Sequence, residues 1–164
     1  MITETAYFAC GCFWGTQYHL DRVTGVVATT SGYMGGSLSM PTYSDVCSKK
    51  SGHLETVQVI FDPQTVSYET LLRLFFEIHD FTQQDGQGPD IGPQYLSAIF
   101  YTSPEQKQMA EHYIDLLKSK GYEVATQVRP AEHFWAGESY HQHYYDKNGS
   151  SPYCHIRRKI FSTK

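Results

Sequence analysis

HLETVQVIFDP, residues 53–63, alternates strictly: Glu55, Val57, Val59 and Phe61 fall on one face of an extended chain, and Leu54, Thr56, Gln58 and Ile60 on the other. A strand with one face this apolar is expected to line a core, so it anchors a sheet covered on that side. Its one carboxyl, Glu55, shares the apolar face. A glutamate at a strand end is commonly solvated, whereas one drawn into a core holds its proton toward neutral pH.

Downstream of this strand, Leu71, Leu74, Phe75 and Ile78 follow i, i+3, i+4, i+7 spacing within Ser67–His79, with Ser67 able to cap the first turn. That predicts an amphipathic helix lying on the sheet. The polar, glycine-rich stretch HDFTQQDGQGPDIGPQ (79–94) leads to a short strand, YLSAIFY (95–101). Ser103, Pro104 and Gln106 then open a capped helix that Gly121 ends, and VATQVRP (124–130) alternates again as a last strand. Upstream, the pattern predicts a strand over Thr5–Ala9, a turn through Cys10–Cys12, a helix over Phe13–Arg22 and extended chain over Val23–Tyr33. SGYMGGSLSMPTYSDV (31–46) reads as irregular backbone. Its GYMGG lacks the spacing and lysine of a phosphate-binding loop. Strands and helices in this order predict an α+β domain in which helices cover a mixed sheet, although the strand order is left open.

Composition narrows the classes. The 164 residues, 40% hydrophobic and 18% charged, suit one domain with a full core, read as residues 1–164 with 146–164 as a mobile tail. A net charge of −4 supplies no cationic face for nucleic acid or anionic lipid. No apolar run approaches the roughly 20 residues that span a bilayer, and no signal-peptide pattern opens the chain, so a cytoplasmic location is expected. The four cysteines, Cys10, Cys12, Cys47 and Cys154, are scattered and without a CxxC, which favours reduced thiols over a disulfide framework or a zinc site. No metal is expected. Neither flavin nor nicotinamide motifs occur, so no bound cofactor is expected either.

GCFWG, residues 11–15, sets Cys12 at the strand-to-helix junction ahead of Phe13 and Trp14. Unpaired N–H groups and the positive end of a helix dipole favour a thiolate there. The two aromatic rings can either wall a pocket for a methyl or thioether group or simply join the core. His141, in SYHQHYY, suggests a base for a Cys/His hydrolase, though a histidine in an aromatic-rich turn more commonly has a packing role.

GCFWG together with GYMGG, TYSDV, GHLETVQVIFDP, HDFT, QGPDIGPQYLSAIF and FWAGESYHQHY closely resembles the A-type peptide methionine sulfoxide reductases, with order and spacing preserved from Gly11 to Tyr144. The resemblance implies a ferredoxin-like α/β sandwich with additions, and reduction of the S epimer of methionine sulfoxide, free or in proteins. By motif position it implies Cys12 as nucleophile and Phe13 and Trp14 as the pocket for the substrate's ε-methyl. Glu55 becomes the acid that protonates the sulfoxide oxygen, with Tyr43 and Tyr95 as hydroxyl donors around that oxygen and Asp90 linked to substrate orientation. With 13 tyrosines in the chain, the residues alone would not have singled out those two.

Reduction of a sulfoxide by a thiol leaves a sulfenic acid, which a second thiol converts to a disulfide. Cys10, Cys47 and Cys154 are the candidates. Cys10 lies too near Cys12 for an unstrained bridge and reads as a small buried hydrophobe, as does Cys47. Cys154, in NGSSPYC (148–154), lies in the expected flexible tail, and many members of the resembled family carry a resolving cysteine at a comparable place. The family also implies thioredoxin as external reductant. A monomer is expected. Phe81, Asp85, Gly86, Pro89, Pro93, Leu96 and His143 depart from the usual family pattern near the proposed substrate rim, while every proposed catalytic group is kept. Two rival classes are a hydrolase using Cys12 with His141, and a metal module using Cys10, Cys12, Cys154 and His155.

Overall fold

The computed structural model describes residues 2–37, 39–48, 52–149 and 160–161. In chain order the elements are β1 (Glu4–Cys10), α1 (Phe13–Asp21), β2 (Val26–Met34), α2 (Tyr43–Cys47), β3 (Leu54–Phe61), α3 (Tyr68–Glu77), β4 (Gly86–Gln87), β5 (Asp90–Ile91), β6 (Ser97–Tyr101), α4 (Pro104–Ser119), β7 (Gln127–Pro130), β8 (Trp135–Ala136) and α5 (Tyr144–Asn148). Six strands form one sheet in the order β7-β6-β1-β3-β2-β8, and β4 and β5 form a separate ribbon. All neighbours in the large sheet are antiparallel except β6 and β7. Its inner part, β1-α1-β2-β3-α3-β6 with spatial order β6-β1-β3-β2, is the split βαβ pattern of a ferredoxin-like sandwich, extended by one strand at each edge. The expected α+β class with a mixed sheet is what the chain forms.

Burial follows the alternation. Val57, Val59 and Phe61 of β3, with Ala6, Phe8 and Cys10 of β1, face the main core, which α1, α3 and α4 close with Phe13, Leu20, Leu71, Phe75, Ala110, Ile114 and Leu117. A smaller cluster on the opposite face joins Ala9, Met34, Leu54, Ala98 and Phe100 and is covered by Leu96, Ala131 and Phe134. β1 is therefore buried on both sides, as a central strand must be. Ser67 caps α3 by accepting from Thr70 N–H, and Ser103 caps α4 by accepting from Gln106 N–H. At α4 the reciprocal half of the capping box is displaced by one residue: Gln106 Oε1 accepts from Thr102 N–H at 2.9 Å. Among the described residues no helix is long and apolar enough to cross a membrane.

Two expectations are corrected. The stretch 31–46 is not wholly irregular: its first four residues complete β2, and Tyr43 begins α2, whose capping box joins Thr42 and Asp45. The strand β7 is not the last, because Trp135 and Ala136 pair with Tyr33 and Gly32 as β8. Of the segment expected to be a mobile tail, residues 146–149 and 160–161 are described: Asp146 lies inside α5, and Phe161 is buried in the main core with its N–H on Glu77 Oε2.

Candidate active site

Gly11, at φ +98°, turns the chain from β1 into α1, a left-handed conformation that glycine adopts without strain. Cys12 is the residue so placed: it precedes the first residue of α1, its carbonyl accepts from Thr16 N–H, and only 8% of it is exposed. No acidic residue occupies the first turn of α1. Instead the Phe13 N–H donates to Glu55 Oε1 from β3, at 3.2 Å. The start of α1 thus adjoins Cys12 along the chain and holds the Glu55 carboxyl, and the positive end of its dipole favours negative charge that develops there.

Glu55 is 1% exposed. Its Oε2 is buried without a hydrogen-bond partner, which leaves one carboxyl oxygen free to carry and deliver a proton. Burial raises its pKa to about 8; the Phe13 N–H works in the opposite direction, and the charge of Asp90 adds to the rise. The carboxyl on the apolar face of 53–63 is therefore not a solvated strand end, and its burial holds its proton toward neutral pH. Asp90, in β5, comes near enough to act on it electrostatically.

Tyr43, first residue of α2, and Tyr95, at the end of the 3₁₀ turn Pro93–Tyr95, lie close enough to each other and to Glu55 to act on one another electrostatically. Burial pushes both hydroxyls above the ordinary tyrosine range, and the nearby carboxyl pushes them further, so both are neutral donors. Phe13 is fully buried, with ring contacts to Tyr33, Tyr43 and His141. Trp14 is half-buried, stacks on Tyr144 at 3.8 Å and 7°, and donates its indole N–H to His141 Nδ1 at 2.9 Å. Sequence proposals Cys12, Phe13, Glu55, Tyr43, Tyr95 and Asp90 thus converge through direct contacts or electrostatic coupling, with Trp14 adjoining through His141. Cys154 lies outside the described residues, as does His155.

Cys10 is fully buried with its Sγ 3.1 Å from Thr16 Oγ1, in agreement with a core role. Cys47 departs from that expectation, being half-buried and set against the Tyr43 hydroxyl. His141 sits among the aromatic rings of the site. It is 1% exposed and bounded by Phe13, Trp14, Tyr43 and Tyr140, and its Nε2 is buried with no partner. Nδ1 accepts the Trp14 N–H, so Nε2 carries the proton of the neutral ring, and burial pulls the pKa down. Glu138 was missed altogether in the sequence: it accepts from the Tyr33 hydroxyl and from the Tyr43 N–H. Its signal was available in AGES, a carboxylate beside a glycine and a short apolar strand, but nothing in that spacing names its partners. Among the described residues, the group of potential metal ligands within reach of one another is Asp21, His143 and Asp146, which contains no cysteine.

The family model for peptide methionine sulfoxide reductase matches residues 4–164. The peptide methionine sulfoxide reductase MsrA of Geobacter sulfurreducens is 48% identical over 149 residues, covering 89% of this chain and 92% of that protein. Among solved structures, reduced Mxr1 from Saccharomyces cerevisiae superposes with a TM-score of 0.88 at 32% identity over 96% of this chain and 93% of that one. Methionine sulfoxide reductase A of Corynebacterium diphtheriae gives 0.82 at 36% identity, covering 93% of this chain and 77% of that one. Mxr1 has also been seen in complex with Trx2.

Proposed function

Because this chain belongs to the peptide methionine sulfoxide reductase family and is a reductase of the MsrA type, we propose that its Cys12 thiolate attacks the sulfur of methionine-S-sulfoxide while Glu55 gives its proton to the sulfoxide oxygen. The oxygen ends on Cys12 as a sulfenic acid, and methionine departs, so the sulfur of the substrate gains the two electrons that Cys12 loses. Tyr43 and Tyr95 donate hydrogen bonds to the same oxygen as its charge grows, an electrostatic role that matters most in the transition state. Phe13 and Trp14 receive the ε-methyl group, and Asp90 orients the substrate. The reading is carried by one observation: a carboxyl 1% exposed, whose one oxygen holds the N–H adjoining Cys12 and whose other oxygen is free, a burial that raises its pKa and keeps its proton toward neutral pH.

The Cys154 thiol then condenses with the sulfenic acid, expelling water and leaving a Cys12–Cys154 disulfide. A thioredoxin dithiol reduces that bridge by thiol exchange. The complex of Mxr1 with Trx2 supports the choice of reductant, and a reduced cytoplasmic thiol pool suits the cycle.

Mixing reduced enzyme with the S-sulfoxide of an N-acetyl methionine amide, without reductant, tests the scheme. The wild type should form about one methionine and lose about two thiols per chain; Cys12→Ser should form none; Cys154→Ser should form one but lose a single thiol. Methionine formation by Cys12→Ser removes the nucleophile assignment, and full thioredoxin-linked turnover by Cys154→Ser removes the resolving one.

A further inference from the structure

We infer that Glu138 is a positioning residue for the reaction, fixing the Tyr43 hydroxyl over the sulfoxide oxygen by gripping the start of α2. The inference rests on the oxygen-donor role of Tyr43 proposed above. Tyr43 opens a helix of only five residues, about one and a half turns, too short to keep its place by its own hydrogen bonds. The capping box of Thr42 and Asp45 is local to that turn and ties it to nothing else. Beside the ring contacts of Tyr43 with Phe13 and His141 and the burial of Val46, Glu138 supplies a long-range hydrogen bond to the first residue of the helix: its Oε2 accepts the Tyr43 N–H at 3.0 Å across 95 residues of sequence.

The other carboxylate oxygen is fixed as firmly. Oε1 accepts from the hydroxyl of Tyr33 at 2.9 Å, and Tyr33 is fully buried in β2, directly opposite Glu55 in the register with β3. One carboxylate therefore joins the strand position facing the proposed acid to the helix start bearing the proposed oxygen donor. The segment that carries it is itself docked, since Tyr33 and Gly32 pair with Trp135 and Ala136, and Gly137 N–H donates to Ser31 C=O at 2.8 Å. Burial alone would raise the Glu138 pKa, but the N–H of Tyr43, its own N–H and the Tyr33 hydroxyl outweigh it and bring the group below its ordinary value, so it serves as an ionised double acceptor. Tyr140 adds a long contact, 3.5 Å from its hydroxyl to Oε2.

Glu138→Ala removes both acceptors. Glu138→Gln keeps one carbonyl oxygen for the Tyr43 N–H, while the Tyr33 hydroxyl can turn to accept from the amide. The test measures single-turnover methionine formation at saturating and limiting substrate, with rates referred to titrated Cys12 thiol so that misfolded protein does not count. We expect Glu138→Ala to slow the saturated rate roughly tenfold or more with KM changed less than about threefold, and Glu138→Gln to restore most of the rate. In a Tyr43→Phe background the alanine substitution should cost less than about twofold. The same fold loss in both backgrounds, or a wild-type rate for Glu138→Ala, overturns the inference. If Tyr43→Phe alone runs at the wild-type rate, it is the oxygen-donor reading of Tyr43 that falls, and this inference with it. Should Glu138→Ala not fold, Glu138→Asp, one methylene too short to span both donors, supplies the same comparison.

Discussion

At the residue scale, the pH behaviour of Glu55 is the sharpest consequence of its burial. A general acid works only while protonated, so a carboxyl with its pKa raised to about 8 should hold the methionine-forming rate up through neutrality and let it fall as pH rises past about 8. Glu55→Gln should lose that alkaline decline and run about 10²–10⁴-fold slower at pH 7, with substrate binding little changed; stopped-time single-turnover assays from pH 6 to 9.5 read both effects. The sign carries over to stability. Between the ordinary carboxyl value near 4.5 and about 8 the folded chain keeps a proton that the unfolded chain releases, so wild-type stability declines with pH across that window, and Glu55→Gln should flatten the decline. Glu55 was legible because period-two alternation put a carboxyl among Val57, Val59 and Phe61. Tyr43 and Tyr95 were not, because what distinguishes them from eleven other tyrosines is that two short elements bring both within the field of Glu55, and family resemblance alone pointed to them.

At the scale of elements, the long periodic segments were readable and the short ones were not. α3 follows its i, i+3, i+4 apolar stripe and its serine cap, since amphipathic burial and a cap together outweigh other local choices. β8 is two residues long and carries no period; it exists only because Gly32 lets another chain segment approach β2. A Cβ at Gly32 would stand 2.3 Å from the Trp135 carbonyl oxygen and 2.5 Å from the Phe134 ring, so Gly32→Ala must push β8 outward and with it the Glu138–His141 turn. That substitution should cost about 1–3 kcal/mol in urea denaturation and slow methionine formation together. Gly121→Ala is the contrast. It forces a left-handed backbone of φ +97° where no atom lies within 4 Å, and should cost about 1–2 kcal/mol with the rate unchanged. If Gly32→Ala lost stability without rate, β8 would be scaffold with no bearing on the site.

For the whole molecule, topology separates the chemistry from the closure of the chain. The sequence order of strands and helices implied an α+β sandwich, but strand order is set by pairings between distant segments that no local pattern encodes, and it took the three-dimensional structure to put β1 between β3 and β6. Long-range pairing also fixes the described residues near the chain end: Ile160 and Phe161 donate their N–H groups to Glu77 Oε2 at 3.1 and 3.2 Å, on α3, and the Phe161 ring meets Tyr113 of α4 edge-on at 5.2 Å. Phe161, 5% exposed, is thus a core residue of the α3–α4 layer, while Cys12 belongs to the start of α1. Phe161→Ala should therefore cost about 3–5 kcal/mol, seen as a Tm lower by roughly 6–20 °C, because it empties a packed site. The first methionine-forming step should stay within about twofold of wild type at temperatures where the variant is folded, since Phe161 packs against α3 and α4, and Cys12, Glu55, Tyr43 and Tyr95 stand on other elements. A rate loss as large as that of Glu55→Gln, in folded protein, would mean that the closure of the chain end and the acid site are one cooperative unit.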